Sequence, residues 1–74
     1  MKIQKDMIVG INPNVRMPKY FKSFLFMSLY NEDDGVDEVE VEVFCHKPFT
    51  IQGNKYKKNE LKGTKYKFKI KNLI

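Results

Sequence analysis

Two groups of residues have the types and spacing that could support chemistry: the adjacent Cys45 and His46, and the alternating acids Glu38, Glu40 and Glu42. A thiol beside an imidazole is a pairing used in nucleophilic catalysis, and neighbouring carboxylates can act as acid and base. Neighbouring residues of a strand point to opposite faces, however, so Cys45 and His46 cannot share a side-chain hydrogen bond. Carboxylates that stand beside water also lack the burial on which acid–base catalysis depends. We therefore expect a protein that is not an enzyme.

Other signatures of catalysis or cofactor binding are absent from the sequence. One cysteine and one histidine can neither form an internal disulfide nor complete a usual zinc set, and there is no glycine-rich phosphate loop, HExxH, GxSxG or CxxC motif. The sequence thus predicts neither a metal nor a cofactor. A lone cysteine favours a reducing cytoplasm, and no apolar stretch is long enough for a signal peptide or a membrane span, so we expect a cytoplasmic protein.

The residues around these groups have the composition of strands. Val, Ile, Phe and Tyr supply 22 of the 74 residues, and Ala and Trp are absent, which favours strands over helices. Residues 36–46 alternate with period two, as a strand with one buried face does. The predicted inward residues are Val39, Val41, Val43 and Cys45, and the predicted outward residues are Glu38, Glu40, Glu42, Phe44 and His46.

The rest of the chain divides into short strands and turns. We expect a strand within residues 2–11, a loop at 12–19, a strand at 20–30 and a turn at 31–35. A hairpin follows, in which residues 49–52 and 55–58 flank a turn at Gly53 and Asn54 and Tyr56 points inward. Residues 59–63 resemble a single 3₁₀ turn closed by Gly63. The last strand, residues 64–71, should direct Tyr66, Phe68 and Ile70 inward.

Together these elements predict one all-β domain over residues 1–74. The order of five to six short strands, a long first loop, a tight hairpin and a 3₁₀ turn before the last strand resembles a small SH3-like barrel, and an OB-like barrel is an alternative. A sheet with one short helix at residues 18–29 is a further alternative.

Acidic residues are concentrated in one part of the chain, although the net charge is +5. Seven of the nine acids lie within residues 32–42. Alternate residues of a strand are about 6.6–6.8 Å apart, close to roughly two base rises of a nucleic-acid strand. This stretch can therefore present anions at phosphate-like intervals to a basic protein surface. The predicted partner-binding residues are Glu32, Asp33, Asp34, Asp37, Glu38, Glu40 and Glu42.

A structural alternative explains the same acids. Glu38, Glu40 and Glu42 could pair with Lys65, Lys67 and Lys69 across neighbouring strands, at roughly 0.2–1 kcal/mol per pair. In a five-stranded SH3-like order, however, the middle and last strands are not necessarily neighbours, which would leave the acids free.

The lysines offer a second function, direct binding of DNA or RNA. Thirteen of the fourteen basic residues are Lys, and Lys lacks the planar fork with which Arg recognises phosphate and guanine. Such binding would be weak, sensitive to salt and independent of base sequence. The candidate nucleic-acid-binding residues are Lys55, Lys57, Lys58, Lys65, Lys67, Lys69 and Lys71.

A small, Lys-rich, Ala-free β domain with an acidic strand resembles phage proteins that take over host machinery. In length and character it is similar to staphylococcal-phage inhibitors of the bacterial DNA polymerase sliding clamp. The resemblance implies a phage-encoded inhibitor that occupies the basic DNA channel of the clamp. Such clamps also accept Gln-Leu-x-Leu-Phe peptides, of which Leu25 and Phe26 retain the last two residues.

We therefore predict a non-enzymatic inhibitor that covers the DNA-binding surface of a host replication protein with residues 32–42. Self-association into a homodimer would double its acidic surface.

Overall fold

The chain forms a small all-β fold in the computed structural model, which describes residues 2–33 and 35–74. This confirms the predicted fold class. The elements in chain order are β1 (Ile8–Val9), α1 (Lys19–Lys22), β2 (Leu25–Ser28), β3 (Glu38–Cys45), β4 (Phe49–Ile51), β5 (Asn54–Tyr56), β6 (Lys65–Lys69) and the 3₁₀ helix η1 (Ile70–Asn72). The strand expected over residues 20–30 is shorter than predicted, because the single turn α1 occupies the first residues of that range and Pro18 stands at its N-cap. Proline has a fixed φ angle that suits a helix start.

Four antiparallel strands make the main sheet, in the order β1-β2-β3-β6, and β4 and β5 form a separate hairpin. The main sheet also closes on itself. Ile11 forms an antiparallel bridge with Leu73, and Gly10 and Ile74 exchange two backbone hydrogen bonds of 3.1 and 3.0 Å. Because β1 is thereby joined to the chain that follows β6, the sheet has the barrel-like closure expected from the sequence.

The core lies inside this closed sheet. Val39, Val41 and Val43 of β3 are buried there, as predicted from their alternation, and Phe68 of β6 is buried beside them. The buried apolar residues of the described chain are Ile3, Val9, Ile11, Phe24, Phe26, Val39, Val41, Val43, Phe68 and Leu73. Tyr66 and Ile70, which were also predicted to point inward, are half-buried and pack against this core.

The predicted orientation of the last two residues of the β3 region is wrong. His46 is buried, at 3% exposure, and Cys45 is only half-buried. The cause is a bulge: Phe26 pairs with Val43 but Leu25 pairs with Cys45, which leaves Phe44 as an extra residue. A bulge of this kind shifts the alternation by one residue, so that His46 takes an inward position.

The turns around the hairpin also differ in detail from the prediction. The hairpin turn is centred on Gln52 and Gly53, one residue earlier than expected, because Ile51 pairs with Asn54. Gln52 and Gly53 have φ angles of 49° and 83°, and two positive φ angles are characteristic of the type I′ turn that suits a tight hairpin.

Residues 59–64 contain the expected tight hydrogen bonds. The N–H of Lys62 donates to the Asn59 carbonyl at 3.1 Å, and the N–H of Thr64 donates to the Leu61 carbonyl at 3.0 Å. The assigned 3₁₀ helix, η1, follows the last strand rather than preceding it.

Candidate protein-binding surface

The outer face of β3 carries the predicted acidic ladder, and the neighbouring strand carries lysines in register with it. Strand β6 pairs directly with β3, so that Glu38 stands opposite Lys69, Glu40 opposite Lys67, and Glu42 opposite Lys65. Of the two alternatives that the sequence left open, the structure therefore has the one in which these strands are neighbours. The sequence could not settle this point because the whole of residues 46–64 is inserted between the two paired strands.

This register changes the electrostatics of the acidic strand. Opposite charges directly across an antiparallel pair stabilise the sheet by roughly 0.2–1 kcal/mol each, and each lysine offsets the charge of the acid that it faces. The ladder is thus not a free row of anions. Among the predicted partner-binding acids that the structure describes, those without a lysine opposite them in the register are Glu32, Asp33 and Asp37, in the loop that leads into β3.

We call residues 30–38 the acidic end of the molecule. Among the predicted acids in this loop, Asp33 and Asp37 are exposed and Glu32 is half-buried, whereas Asp34 lies outside the described residues. The Oε1 atom of Glu32 accepts a hydrogen bond of 3.0 Å from the N–H of Ile3, and the N–H of Glu32 donates to the Ile3 carbonyl at 2.8 Å. These two bonds fix the loop against the first segment of the chain.

A shallow cleft of about 350 Å³ lies at the acidic end. Its lining includes three carboxylates, those of Asp33, Glu38 and Glu40, and one ammonium group, that of Lys67; Tyr30 and Val36 also line it. Tyr30 and Val36 are 61% and 51% exposed. An exposed aromatic ring and an aliphatic side chain among carboxylates can provide both apolar contact and charge to a basic partner. The sequence analysis did not single out Tyr30 or Val36, because their types give no signal of exposure.

Positive charge is concentrated at the opposite end of β3. We call residues 46–64 the basic lobe; it contains five lysines and one acid, which gives it four of the five net positive charges of the chain. The candidate residues Lys55, Lys57 and Lys58 are exposed in this lobe. The remaining candidates Lys65, Lys67, Lys69 and Lys71 are also exposed, the first three of them opposite the acids of β3.

Aromatic rings adjoin the basic lobe. The ring of Phe49 stacks on that of Tyr56 at 4.7 Å between centroids, and on that of Tyr20 at 5.2 Å. All three rings are half-buried. Burial raises the pKa of the Tyr66 hydroxyl above its ordinary value of 10.0, and the nearby Tyr20 and Tyr56 raise it further. Tyr20, Phe49 and Tyr56 thus form one stacked series of rings beside the hairpin.

The ring of His46, which was predicted to face outward beside Cys45, bonds to backbone groups of the basic lobe. The Nε2 atom of His46 accepts a hydrogen bond of 2.9 Å from the N–H of Leu61, which makes Nδ1–H the donor to the Lys47 carbonyl, also at 2.9 Å. Both ring nitrogens are thus occupied by backbone groups. The side chain of His46 joins the end of β3 to the turn of the basic lobe.

The partial clamp-binding motif is part of the sheet. Phe26 is 0% exposed in the core, whereas Leu25 is 43% exposed on the outer face. Since consecutive residues of β2 point to opposite faces, the two side chains cannot enter one pocket of a partner while the strand is intact.

Comparison of the chain with protein-family models, with characterised proteins and with solved structures finds no match. Within residues 2–33 and 35–74, no helix is both long and apolar enough to cross a membrane, and no three His, Cys, Asp or Glu side chains are grouped to hold a metal ion.

Proposed function

We propose that this protein is a non-enzymatic, phage-encoded inhibitor that binds the basic DNA-binding surface of a host replication protein, of which the sliding clamp is our first candidate. The observation that carries the proposal is the placement of the acids. Residues 31–42 contain seven carboxylates and no basic residue. Among the described acids before β3, namely Glu32, Asp33 and Asp37, none has a lysine opposite it in the sheet register. The centre of the proposed contact is accordingly the acidic end rather than the β3 ladder.

The mechanism is competition for a surface that normally meets phosphate. A channel lined with basic groups attracts the carboxylates of the acidic end, and complementary charge speeds the encounter and selects the partner. Contact by the exposed Tyr30 and Val36 would add buried apolar area, which resists salt better than charge pairs do. With this surface covered, DNA cannot pass through the clamp.

Charge reversal at the acidic end tests the proposal. The double variant Asp33→Lys with Asp37→Lys changes two exposed side chains, so we expect it to fold normally and to bind purified sliding clamp at least about 10-fold more weakly. The matched control is Lys55→Glu with Lys57→Glu, which also changes two exposed charges but in the basic lobe. Clamp binding is measured by isothermal titration calorimetry at two salt concentrations. Equal affinity of the acidic-end variant and the native protein would refute the proposal.

Reversal of the whole ladder is a poorer test. Glu38→Lys, Glu40→Lys and Glu42→Lys would place like charges opposite the lysines of β6, which destabilises a sheet. Loss of binding by that variant could then reflect loss of the fold. Circular dichroism of each variant separates the two effects.

A second candidate function is binding of single-stranded nucleic acid by the basic lobe. The observation that favours it is the combination of four net positive charges with the stacked rings of Phe49 and Tyr56. A gel shift with a thymidine oligonucleotide at physiological salt tests it. Under this function the variant Lys55→Glu with Lys57→Glu should lose retention, whereas Asp33→Lys with Asp37→Lys should leave it nearly unchanged at physiological salt, the opposite of the pattern expected for clamp binding.

A further inference from the structure

An exposed apolar surface surrounds the bulge in β3, away from the acidic end. We call it the bulge patch. Leu25 and Phe44 are 43% and 42% exposed there, and Ile8 is 43% exposed. The members of the patch are Ile8, Leu25, Met27, Phe44 and Cys45.

The strand register makes the patch continuous. Ile8 stands opposite Met27, and Leu25 stands opposite Cys45; side chains directly opposite each other share one face of the sheet. Leu25 and Met27 are two residues apart on β2 and therefore also share a face. The bulge adds Phe44 to this group, because it places two residues of β3 against one residue of β2. Five apolar side chains thus adjoin one another on the outer face.

A cleft and three lysines complete the surface. The cleft, of about 250 Å³, is lined by residues that include Leu25, Cys45, Lys47 and Lys58. The Nζ atom of Lys62 lies 5.9 Å from the centre of the Phe44 ring, within the range of a cation–π contact. Lys47, Lys58 and Lys62 all belong to the basic lobe, and the aliphatic stems of such lysines extend the apolar surface while their charges face water.

We propose that the bulge patch binds a short acidic peptide segment of a partner protein, with one or two apolar side chains of the segment seated at Leu25 and Phe44. The charge of the rim selects this occupant. Two acids lie near the patch: Glu42 already faces Lys65, and the Oε1 atom of Glu60 accepts a hydrogen bond from the N–H of Lys57. The three lysines of the rim outnumber them, and this positive charge complements carboxylates. Nucleic acid fits less well, because four of the five patch residues are not aromatic and give bases no ring on which to stack.

The proposed contact is separate from the acidic end. One surface would take a basic partner and the other an acidic one, and each can be disabled without touching the other. Failure of the proposal for the bulge patch is therefore distinguishable from failure of the proposed clamp binding.

The probe is the hexapeptide Asp-Asp-Leu-Phe-Asp-Asp, labelled with a fluorophore and titrated with the protein while anisotropy is recorded. We expect saturable binding that weakens roughly 10-fold or more when Phe44→Ser removes the exposed ring. Lys58→Glu should weaken it as well, through the charge of the rim. The control for Phe44→Ser is Val36→Ser, which removes an exposed apolar side chain at the acidic end. The control for Lys58→Glu is Lys71→Glu, which reverses the charge of an exposed lysine outside the basic lobe. Neither control should alter peptide binding.

Two peptide variants and one spectrum locate the contact. Replacing the four Asp residues of the peptide by Lys, or its Leu and Phe by Ser, should abolish binding. In the ¹⁵N-labelled protein, amide shifts on peptide addition should cluster at Leu25, Phe44 and Lys58 rather than at the acidic end.

Several results would overturn the proposal. These are absence of peptide binding at millimolar concentration, equal binding by the Phe44→Ser variant, and shifts confined to residues 30–38. Sedimentation of the native protein as a dimer that Phe44→Ser converts to a monomer would assign the patch to a second copy of the chain instead. Binding of a thymidine oligonucleotide that Phe44→Ser abolishes would assign it to nucleic acid.

Discussion

The buried His46 gives the sharpest test of how the basic lobe is held to the sheet. Its ring stacks on that of Phe24 at 4.8 Å between centroids, and its Nε2 atom accepts the N–H of Leu61 at 2.9 Å. The change His46→Phe keeps an aromatic ring but removes both ring hydrogen bonds and leaves the N–H of Leu61 without its acceptor. An unpaired, partly buried donor costs about 1–2 kcal/mol, and His46→Ala adds roughly 2 kcal/mol more for the cavity left by the ring.

Urea unfolding followed by circular dichroism measures both variants. The native stability expected for a chain of this length is only about 4–11 kcal/mol, so losses of this size shift the midpoint clearly. The Leu61 amide should also exchange its hydrogen faster in His46→Phe, with little change at Val41 in the centre of β3. The reasoning would be refuted if His46→Phe were as stable as the native protein and the Leu61 amide stayed protected.

Three further predictions follow from single contacts. Gln52→Asn should stabilise the hairpin by a few tenths of a kcal/mol, because an Asn-Gly pair best suits a type I′ turn. Gly53→Ala should destabilise it by about 1 kcal/mol, because Ala resists a positive φ angle; thermal unfolding measures both changes. In the ladder of β3 and β6, reversing one charge at either Glu40 or Lys67 should destabilise the sheet. Glu40→Lys combined with Lys67→Glu should recover roughly 0.2–1 kcal/mol of stability in a double-mutant cycle, and additive effects would contradict the pairing. The pKa of the Tyr66 hydroxyl is raised in the folded state, so the folded chain holds that proton more tightly. The contribution of Tyr66 to stability is therefore fully present below pH 10.0, the unfolded pKa, and is lost as pH rises through the higher folded pKa. Tyr66→Phe should remove this part of the loss of stability at alkaline pH, and an unchanged pH profile of that variant would contradict the prediction.

The inward positions in the middle of β3 could be predicted because their chemistry is unambiguous. Val39, Val41 and Val43 alternate with acids, and only one orientation buries the valines without burying charge. The bulge could not be predicted in the same way. Phe44 and Cys45 can each lie on either face of a sheet. The sequence therefore does not show that the alternation shifts by one residue at Phe44.

The local sequence pattern could not predict which strands are neighbours in the sheet. Strands β3 and β6 are separated by residues 46–64, and the sequence of that segment describes its own hairpin but not where the chain returns. The lysines of β6 showed that a charged outer face exists. Their register with the acids of β3 depends on the closed sheet. Strand β6 lies beside β3 at one of its edges, and the chain that follows β6 forms a bridge to the chain that follows β1.

The register between β3 and β6 separates the charges of the two ends of the molecule. The eight residues of β3 span roughly 23 Å at about 3.3 Å per residue, whereas charges in water are screened over about 8 Å at physiological salt. Between the ends, each acid of the ladder faces a lysine, so the middle of the outer face contributes little net field. The acidic end and the basic lobe are therefore separated by a nearly neutral stretch of sheet. A change of charge at one end should leave binding at the other nearly unaffected at physiological salt, and the two effects should become coupled only as salt is lowered and the screening length grows.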